Sequence, residues 1–186
     1  VYYSLALIVA GHQTISERGQ LQDALNRLQT LLQSLTLTQE QKLDLAGSLG
    51  RARVHTLRQA EQVLRGPTGE HNVLSWQAPK RVWLYGGSLP QAFAAWIELT
   101  GSGITALVDS QHPLATYASE APDLLETSAA PASADISHVV ALEELPVELK
   151  QTLAGSDGAL VRIINAQHGV DVLQLFEETS CSINTT

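Results

Sequence analysis

Short apolar runs alternate with helical patterns in the second half of this chain, and this alternation limits the fold more than any other feature. Residues 81–85 (Arg-Val-Trp-Leu-Tyr) are rich in side chains that favour strands. The turn Gly86-Gly87-Ser88 and a helical stretch at 90–99 follow directly. Strand, glycine turn and helix in this order make the first half of a βαβ unit. The alternation therefore predicts an α/β, Rossmann-like fold.

Three more apolar runs of the same kind follow along the chain. They predict strands at residues 104–108, 137–141 and 159–164. We expect helices between these strands at 112–119 and 146–153. Four strands separated by helices imply a mostly parallel sheet with helices on its faces.

The first third of the chain has a helical period instead. Leucines recur at intervals of three and four between residues 17 and 35, which predicts one amphipathic helix. Thr38-Gln39-Glu40-Gln41 has the form of a capping box, so a second helix is expected from there to about Leu64. A break into two helices near Gly47 to Gly50 is the alternative, and Gly66-Pro67 would end the helix.

The remaining segments are predicted from their turn residues. We expect a loop at 66–79 and a mobile loop at 128–134, where Ala, Ser and Pro dominate. Residues 170–176 fit a helix, which a strand leaving the globule would follow. The chain thus divides into a helical extension (1–66), a Rossmann-like core (67–176) and a C-terminal arm (177–186).

Charge and hydropathy exclude several classes of partner. Residues 1–81 carry a net charge of +3 and residues 82–186 carry −11, with the few cations of the first part interleaved with acids. Nucleic acids and anionic membranes need clustered cations, so neither is expected to bind. No run of about 18 apolar residues predicts a membrane span. The apolar opening at residues 5–10 lacks the basic flank of a secretory signal.

The single cysteine, Cys181, indicates a reducing, cytoplasmic compartment, since one thiol forms no intrachain disulfide. No base or cation stands beside it in the sequence, which predicts an inert thiol. The chain starts at Val1 and contains no methionine, so we expect it to be a piece of a longer protein.

The turn at Gly86 and Gly87 is the candidate cofactor site. A Rossmann dinucleotide site needs three glycines, so that the backbone can approach a pyrophosphate. The third glycine is missing here, although Asp109 follows the second predicted strand about where a ribose hydroxyl would be held. We predict a degenerate turn that needs glycine for its backbone angles and holds no cofactor. Dinucleotide binding is the alternative.

No other group of residues predicts chemistry. The sequence has no Gly-x-Ser-x-Gly elbow and no phosphate loop with the Gly-x4-Gly-Lys pattern. No histidine lies four residues from another His, a Cys or a carboxylate, which is the i, i+4 spacing of metal ligands on one helix face. We therefore predict no catalytic residue and no metal site. The histidines are His12, His55, His71, His112, His138 and His168.

Two motifs carry a resemblance to a known family. Residues 66–72 (Gly-Pro-Thr-Gly-Glu-His-Asn) stand just before the predicted strand at 81–85, and a second motif extends from Asp157-Gly158 to residues 182–185 (Ser-Ile-Asn-Thr). With the opening at residues 1–5, they resemble the C-terminal region of the bacterial bifunctional proline-utilisation flavoenzymes. These enzymes join a proline dehydrogenase to an aldehyde dehydrogenase for glutamate semialdehyde.

The resemblance implies a domain of the aldehyde dehydrogenase superfamily that has lost its cofactor residues and does no chemistry. Such a domain would pack against the catalytic semialdehyde dehydrogenase module and help enclose the cavity through which the intermediate passes. The parent chain would use FAD and NAD, and this chain would hold neither. The family pattern continues past Thr185, and residues 110–156 match it only in pattern, so no residue there takes a role from the family.

Three hypotheses follow. In the first, the chain is a non-catalytic accessory domain whose helical extension connects it to the dehydrogenase module and whose arm at 177–186 docks there. In the second, it is a small dinucleotide-binding enzyme. In the third, the leucine face at 21–35 makes it a helical self-association module, and a homo-oligomer remains open in the first hypothesis as well.

Overall fold

Two helices open the part of the chain that the structure describes. The computed structural model describes residues 15–54, 59–66, 70–129, 136–155 and 160–184. Helix α1 spans Ile15–Gln33 and helix α2 spans Gln39–Val54. The Thr38 N–H donates to Gln41 Oε1 at 2.9 Å, and the Gln41 N–H donates to Thr38 Oγ1 at 3.2 Å. The predicted capping box is therefore confirmed.

The second helix is shorter than predicted. It continues through Gly50 without a break but ends at Val54, and residues 55–58 lie outside the described part. Strand β1 then spans Gln59–Leu64, so the prediction of helix up to Leu64 is wrong. The segment pairs with a partner strand along its whole length, and this pairing outweighs its local preference for helix.

Five strands form the central sheet. Strand β3 spans Arg81–Tyr85, β4 Thr105–Asp109, β5 Leu125–Ser128, β6 His138–Ala141 and β7 Arg162–Asn165. Their order is β5-β4-β3-β6-β7, and every neighbouring pair is parallel. Helix α3 (Leu89–Gly101) joins β3 to β4, and helix α4 (Val147–Ala154) joins β6 to β7. The predicted α/β fold with a parallel sheet is confirmed.

One prediction fails between β4 and β6, and one strand there was not predicted. The helix expected at 112–119 is only a 3₁₀ turn at Ala115–Tyr117, with hydrogen bonds to the third residue back. The chain instead forms β5, whose last residue lies in the segment predicted as a mobile loop. Leu125 is the one buried residue of this short strand, so it carries almost no apolar pattern. Residues 130–135 of the predicted loop lie outside the described part.

Helices cover both faces of the parallel sheet. On one face, α3 buries Phe93 and Trp96, whose ring centroids are 5.4 Å apart. On the other face, Leu153 of α4 packs near Trp83 and Val139. A sheet buried on both sides explains why its central strands are nearly continuous apolar runs.

The leucine face of α1 packs within this chain. Leu25 and Leu28 are fully buried and belong to the same core as α3 and α2. Helices α2 and α3 approach closely, because a Cβ added to Gly101 would lie 2.7 Å from Ala52 Cβ. The helical hairpin is therefore part of the main core, and most of the face required by the self-association hypothesis is already covered.

Strand β1 and two further strands form a second, smaller sheet, separate from the parallel sheet. Strand β2 spans Glu70–Gln77, where we predicted a loop, and strand β8 spans Glu177–Asn184, where we predicted a strand. The order is β1-β2-β8, and both pairs are antiparallel. The predicted terminal strand is confirmed, and it pairs with β2 over eight residues.

The connection into β8 is a short 3₁₀ helix rather than the predicted helix at 170–176. It covers Val172–Leu175, and Asp171 Oδ1 accepts a hydrogen bond from the Leu173 N–H at 3.2 Å. The small sheet takes one strand from each of the three predicted segments, 1–66, 67–176 and 177–186.

Among the described residues, no helix combines the length and apolar character that crossing a membrane would require.

Candidate functional site

The best candidate site is a crevice at the carboxyl edge of the parallel sheet. The chain leaves β3 toward β4 and β5 on one side, then returns to β6 on the other side. Ligands of open α/β sheets bind at such a switch point. A cavity of about 330 Å³ lies there. The residues used below line it: Tyr85, Gly86, Gly87, Asp109, His112 and Glu143.

The predicted glycine turn has the backbone geometry that requires glycine. Gly86 has φ 68° and Gly87 has φ 85°, both in the left-handed region. The Ser88 N–H donates to Gln91 Oε1 at 3.0 Å, which begins α3 directly after the turn. The turn thus combines left-handed backbone angles with a helix N-terminus, as in a phosphate-binding turn.

Glu143 lies against this turn. Its Oε2 accepts a hydrogen bond from the Gly87 N–H at 3.4 Å, and a Cβ added to Gly86 would lie 2.6 Å from its Oε1. A Cβ on Gly87 would lie 2.9 Å from Leu142 Cβ. The glycines therefore serve two needs: left-handed angles and the close approach of residues 142 and 143, which follow β6.

His112 supports the same turn from the other side. Its Nε2 lies 3.1 Å from the Gly86 carbonyl, and its Nδ1 accepts from the Leu114 N–H at 3.1 Å. The accepting role of Nδ1 leaves Nε2 to donate to the carbonyl. Burial lowers the pKa of His112, which favours the neutral ring. Both nitrogens are thus used in structural hydrogen bonds.

Asp109, the candidate partner for a ribose, has a local role in the structure. Its Oδ1 accepts a hydrogen bond from the Gln111 N–H at 2.7 Å, which closes a turn after β4. Burial, and then the charge of Glu143, raise the pKa of Tyr85 in the same crevice. No lysine or arginine lines this crevice in the described part of the chain. The crevice therefore offers little to attract a pyrophosphate, and the absence of a bound dinucleotide stays a prediction.

Sequence reasoning missed Glu143 and the role of His112. The two residues are 56 and 26 positions from their partners in the turn, so no local motif includes them. One signal was available for Glu143. An acidic residue just after a strand that neighbours β3 lies at the same sheet edge as the glycine turn.

A larger groove, of about 930 Å³, lies between α2, α3 and the segment after β7. Two charged groups along it pair with each other: Arg51 Nε donates to Glu98 Oε1 at 2.9 Å, which joins α2 to α3. Within α2, Arg51 Nη2 donates to Ser48 Oγ at 2.9 Å.

The other candidate residues in the described part of the chain lie apart from the candidate crevice's lining. Cys181 is exposed on β8. His138 is buried, its Nδ1 lies 2.7 Å from Ser137 Oγ, and burial lowers its pKa. Within the described ranges, no cluster of three His, Cys, Asp or Glu residues could hold a metal ion. His12 and His55 lie outside those ranges.

The small sheet presents an apolar row across its three strands. Val63, Val73 and Cys181 stand directly opposite one another in register, and Ile183 follows two residues along β8 on the same side. Val63 is 67% exposed and Ile183 is 51% exposed. We call these four residues the apolar row, and they are a candidate contact surface.

No family model and no curated protein matches this chain, but several solved structures do. A structure of proline utilization A with proline bound in remote sites is 18% identical, covers 88% of this chain and 21% of its own, and has a TM-score of 0.54. A variant of proline utilization A from Bradyrhizobium japonicum is 19% identical over 64% of this chain and 15% of its own, with a TM-score of 0.47.

A putative aldehyde dehydrogenase from Bacillus subtilis subsp. subtilis is 9% identical over 88% of this chain and 45% of its own, with a TM-score of 0.46. This chain thus spans about a fifth of the proline utilization A structure with the TM-score of 0.54. That structure has a similar fold over part of its length, and the likeness at 18% identity is one of fold alone.

Proposed function

We propose that this chain is a non-catalytic accessory domain of a bifunctional proline-catabolic enzyme. It packs against the semialdehyde dehydrogenase module and helps enclose the cavity through which the intermediate passes. The observation that carries the proposal is the likeness of fold, over 88% of this chain, to one part of a proline utilization A structure. In this proposal FAD and NAD bind elsewhere in the parent enzyme.

The candidate crevice supports a role without chemistry. The two nitrogens of His112 and one oxygen of Asp109 are already bonded to backbone groups. A general base needs a free nitrogen or oxygen within reach of its substrate. Among the described residues that line the crevice, there is no serine, threonine, cysteine or lysine to act as a nucleophile.

The apolar row supports a docking role for the small sheet. Full burial of a Val or Ile side chain is worth about 1.5–3 kcal/mol, and Val63 and Ile183 leave much of that unrealised in this chain. Strands β1 and β8 are also the two edges of their sheet. An edge strand can accept a further strand from a partner. The dehydrogenase module would cover this surface and the arm at 177–186.

The test mixes this chain with the separately produced semialdehyde dehydrogenase module of the parent enzyme. We expect a complex in sedimentation and a gain in semialdehyde dehydrogenase activity. Val63→Lys and Ile183→Lys should each weaken the complex about tenfold or more, because each would bury a charge in an apolar contact. Val147→Lys is the matched control, since Val147 is 61% exposed on helix α4 and belongs to no strand of the small sheet.

Two results would contradict the proposal: no complex with the unmodified chain, or equal weakening by Val147→Lys.

The second hypothesis, a small dinucleotide-binding enzyme, has the position of the glycine turn at the switch point in its favour. Calorimetric titration with NAD separates the two, because micromolar binding to the unmodified chain would support the enzyme.

A further inference from the structure

We propose that Glu143 is a built-in anion, whose carboxylate takes the position of a phosphate on the Gly86-Gly87 turn and closes it. In this inference the turn can still bind an anion, but the Glu143 carboxylate of the same chain already occupies it. This inference goes beyond the accessory role and does not depend on it, because it concerns only the crevice between β3 and β6.

The first step is that the turn keeps the features of an anion site. Both glycines have positive φ, and α3 begins within three residues of Gly86. A turn of this kind directs backbone N–H groups toward a bound anion, and the helix dipole adds to the attraction. The missing third glycine does not remove these donors, since it serves the packing of helix on strand.

The second step is that Glu143 contacts the turn as an anionic ligand would. Its Oε2 accepts from the Gly87 N–H, and its side chain lies where a Cβ of Gly86 would be. In a dinucleotide site, the missing Cβ of a glycine is what lets the backbone come close to the pyrophosphate. Here the Glu143 side chain uses that space. A pyrophosphate on Gly87 would therefore have to displace the Glu143 carboxylate.

The third step is electrostatic. Glu143 and Asp109 both line the crevice, and lysine and arginine are missing from its described lining. A second anion would meet repulsion from both carboxylates. Loss of Glu143 removes the charge nearer to the turn and takes the acceptor away from the Gly87 N–H, so the opened site would take a phosphate or pyrophosphate.

The experiment compares variants of the 186-residue chain with inorganic pyrophosphate and with ADP as probes. Glu143→Ala should bind pyrophosphate at least about tenfold more tightly than the unmodified chain, with a shift of the Gly87 amide resonance on binding. Glu143→Gln keeps the shape and an acceptor oxygen, so it should gain much less. Glu144→Ala is the matched control, because it removes the same charge from an exposed neighbour that pairs with Lys150 at 3.8 Å.

No gain in Glu143→Ala would overturn the proposal, as would an equal gain in Glu143→Gln or Glu144→Ala, which would indicate net charge instead of occupancy. A second measurement does not depend on the folding of a variant. In the unmodified chain, pyrophosphate at millimolar concentration should leave the Gly87 amide resonance unshifted, because the Glu143 carboxylate already contacts the Gly87 N–H. A clear shift of that resonance by pyrophosphate would also overturn the proposal.

Discussion

The parallel sheet and the small antiparallel sheet are stabilised in different ways. The strands β3 and β4 are buried at every central position, and all of β6 is buried. In the small sheet, by contrast, none of the residues 63–64, 70–77 and 177–183 is buried. The first sheet thus gains its stability mainly from apolar burial, and the second from backbone pairing and partial side-chain contacts.

This contrast bears on function. The central strands of the parallel sheet, β3, β4 and β6, have buried their apolar side chains inside the chain. The small sheet exposes the apolar row and two edges, and in the proposed function a partner covers them. The small sheet is accordingly where the proposed docking gains most, and the parallel sheet is where it gains least.

Two tryptophans provide the sharpest test of the contrast. Trp96 is fully buried on α3, and its Nε1 donates to the Leu124 carbonyl at 3.0 Å. Trp76 is only partly buried on β2, and its Nε1 donates to Glu178 Oε2 at 3.2 Å. Trp96→Ala should lower the free energy of unfolding by about 3–5 kcal/mol, the range for buried aromatic residues. Trp76→Ala should lower it by about 1 kcal/mol.

Urea denaturation of the unmodified chain and of both variants measures these values. Similar losses in the two variants would break the comparison, since they would place the small sheet in the same cooperative core. A small loss for Trp96→Ala alone would instead indicate that the main core is loosely packed around α3.

Two glycines test how closely the main core is packed. A Cβ on Gly101 would lie 2.9 Å from the Ala52 carbonyl oxygen, so α2 and α3 would have to separate. Gly101→Ala should therefore destabilise the chain by about 1–3 kcal/mol. Gly50 lies in α2 with no heavy atom within 4 Å of an added Cβ. Gly50→Ala should stabilise it by about 0.5–1 kcal/mol through helix propensity.

The two substitutions should change the midpoint of thermal unfolding in opposite directions. Thermal unfolding followed by circular dichroism would report a lower midpoint for Gly101→Ala and a higher one for Gly50→Ala. If both changes raise the midpoint, the contact between α2 and α3 is not as tight as its geometry indicates.

A surface ion pair gives the smallest expected effect. Arg27 Nη1 and Nη2 donate to the two oxygens of Asp123 at 2.9 and 2.6 Å, but both side chains are about half exposed. The hydrogen bond from Arg27 holds the pKa of Asp123 below its ordinary value of 3.8. This contribution is therefore fully present above pH 3.8 and is lost as the pH falls through the lower pKa of the folded state.

Asp123→Asn should lower the free energy of unfolding by at most about 1 kcal/mol at neutral pH, and the difference should vanish in acid. Denaturation across a pH series measures it. Glu144→Gln, which removes the weaker pair with Lys150, should change stability less at every pH. A constant difference between Asp123→Asn and the unmodified chain down to acid pH would contradict the titration of Asp123.

The sequence predicted half of the candidate site. Gly86 and Gly87 were found because the turn between a strand and a helix is a local pattern. Glu143 was not, since its contact with the turn exists only when β6 lies beside β3. The interpretation of the glycines was also incomplete, because their second role, the close approach of residues 142 and 143, depends on that same pairing.

The sequence by itself determined the elements whose stabilisation is local or whose burial is strong. The helices α1, α3 and α4, the capping box before α2, and the buried strands β3, β4 and β6 follow from periodicity and apolar runs. Only the tertiary structure decided β1, β2 and β5. Strand β2 pairs with β8, which lies about a hundred residues further along the chain, and none of the residues of β2 is buried. A strand held by backbone hydrogen bonds to a distant partner carries little pattern of its own, because backbone groups are the same in every residue.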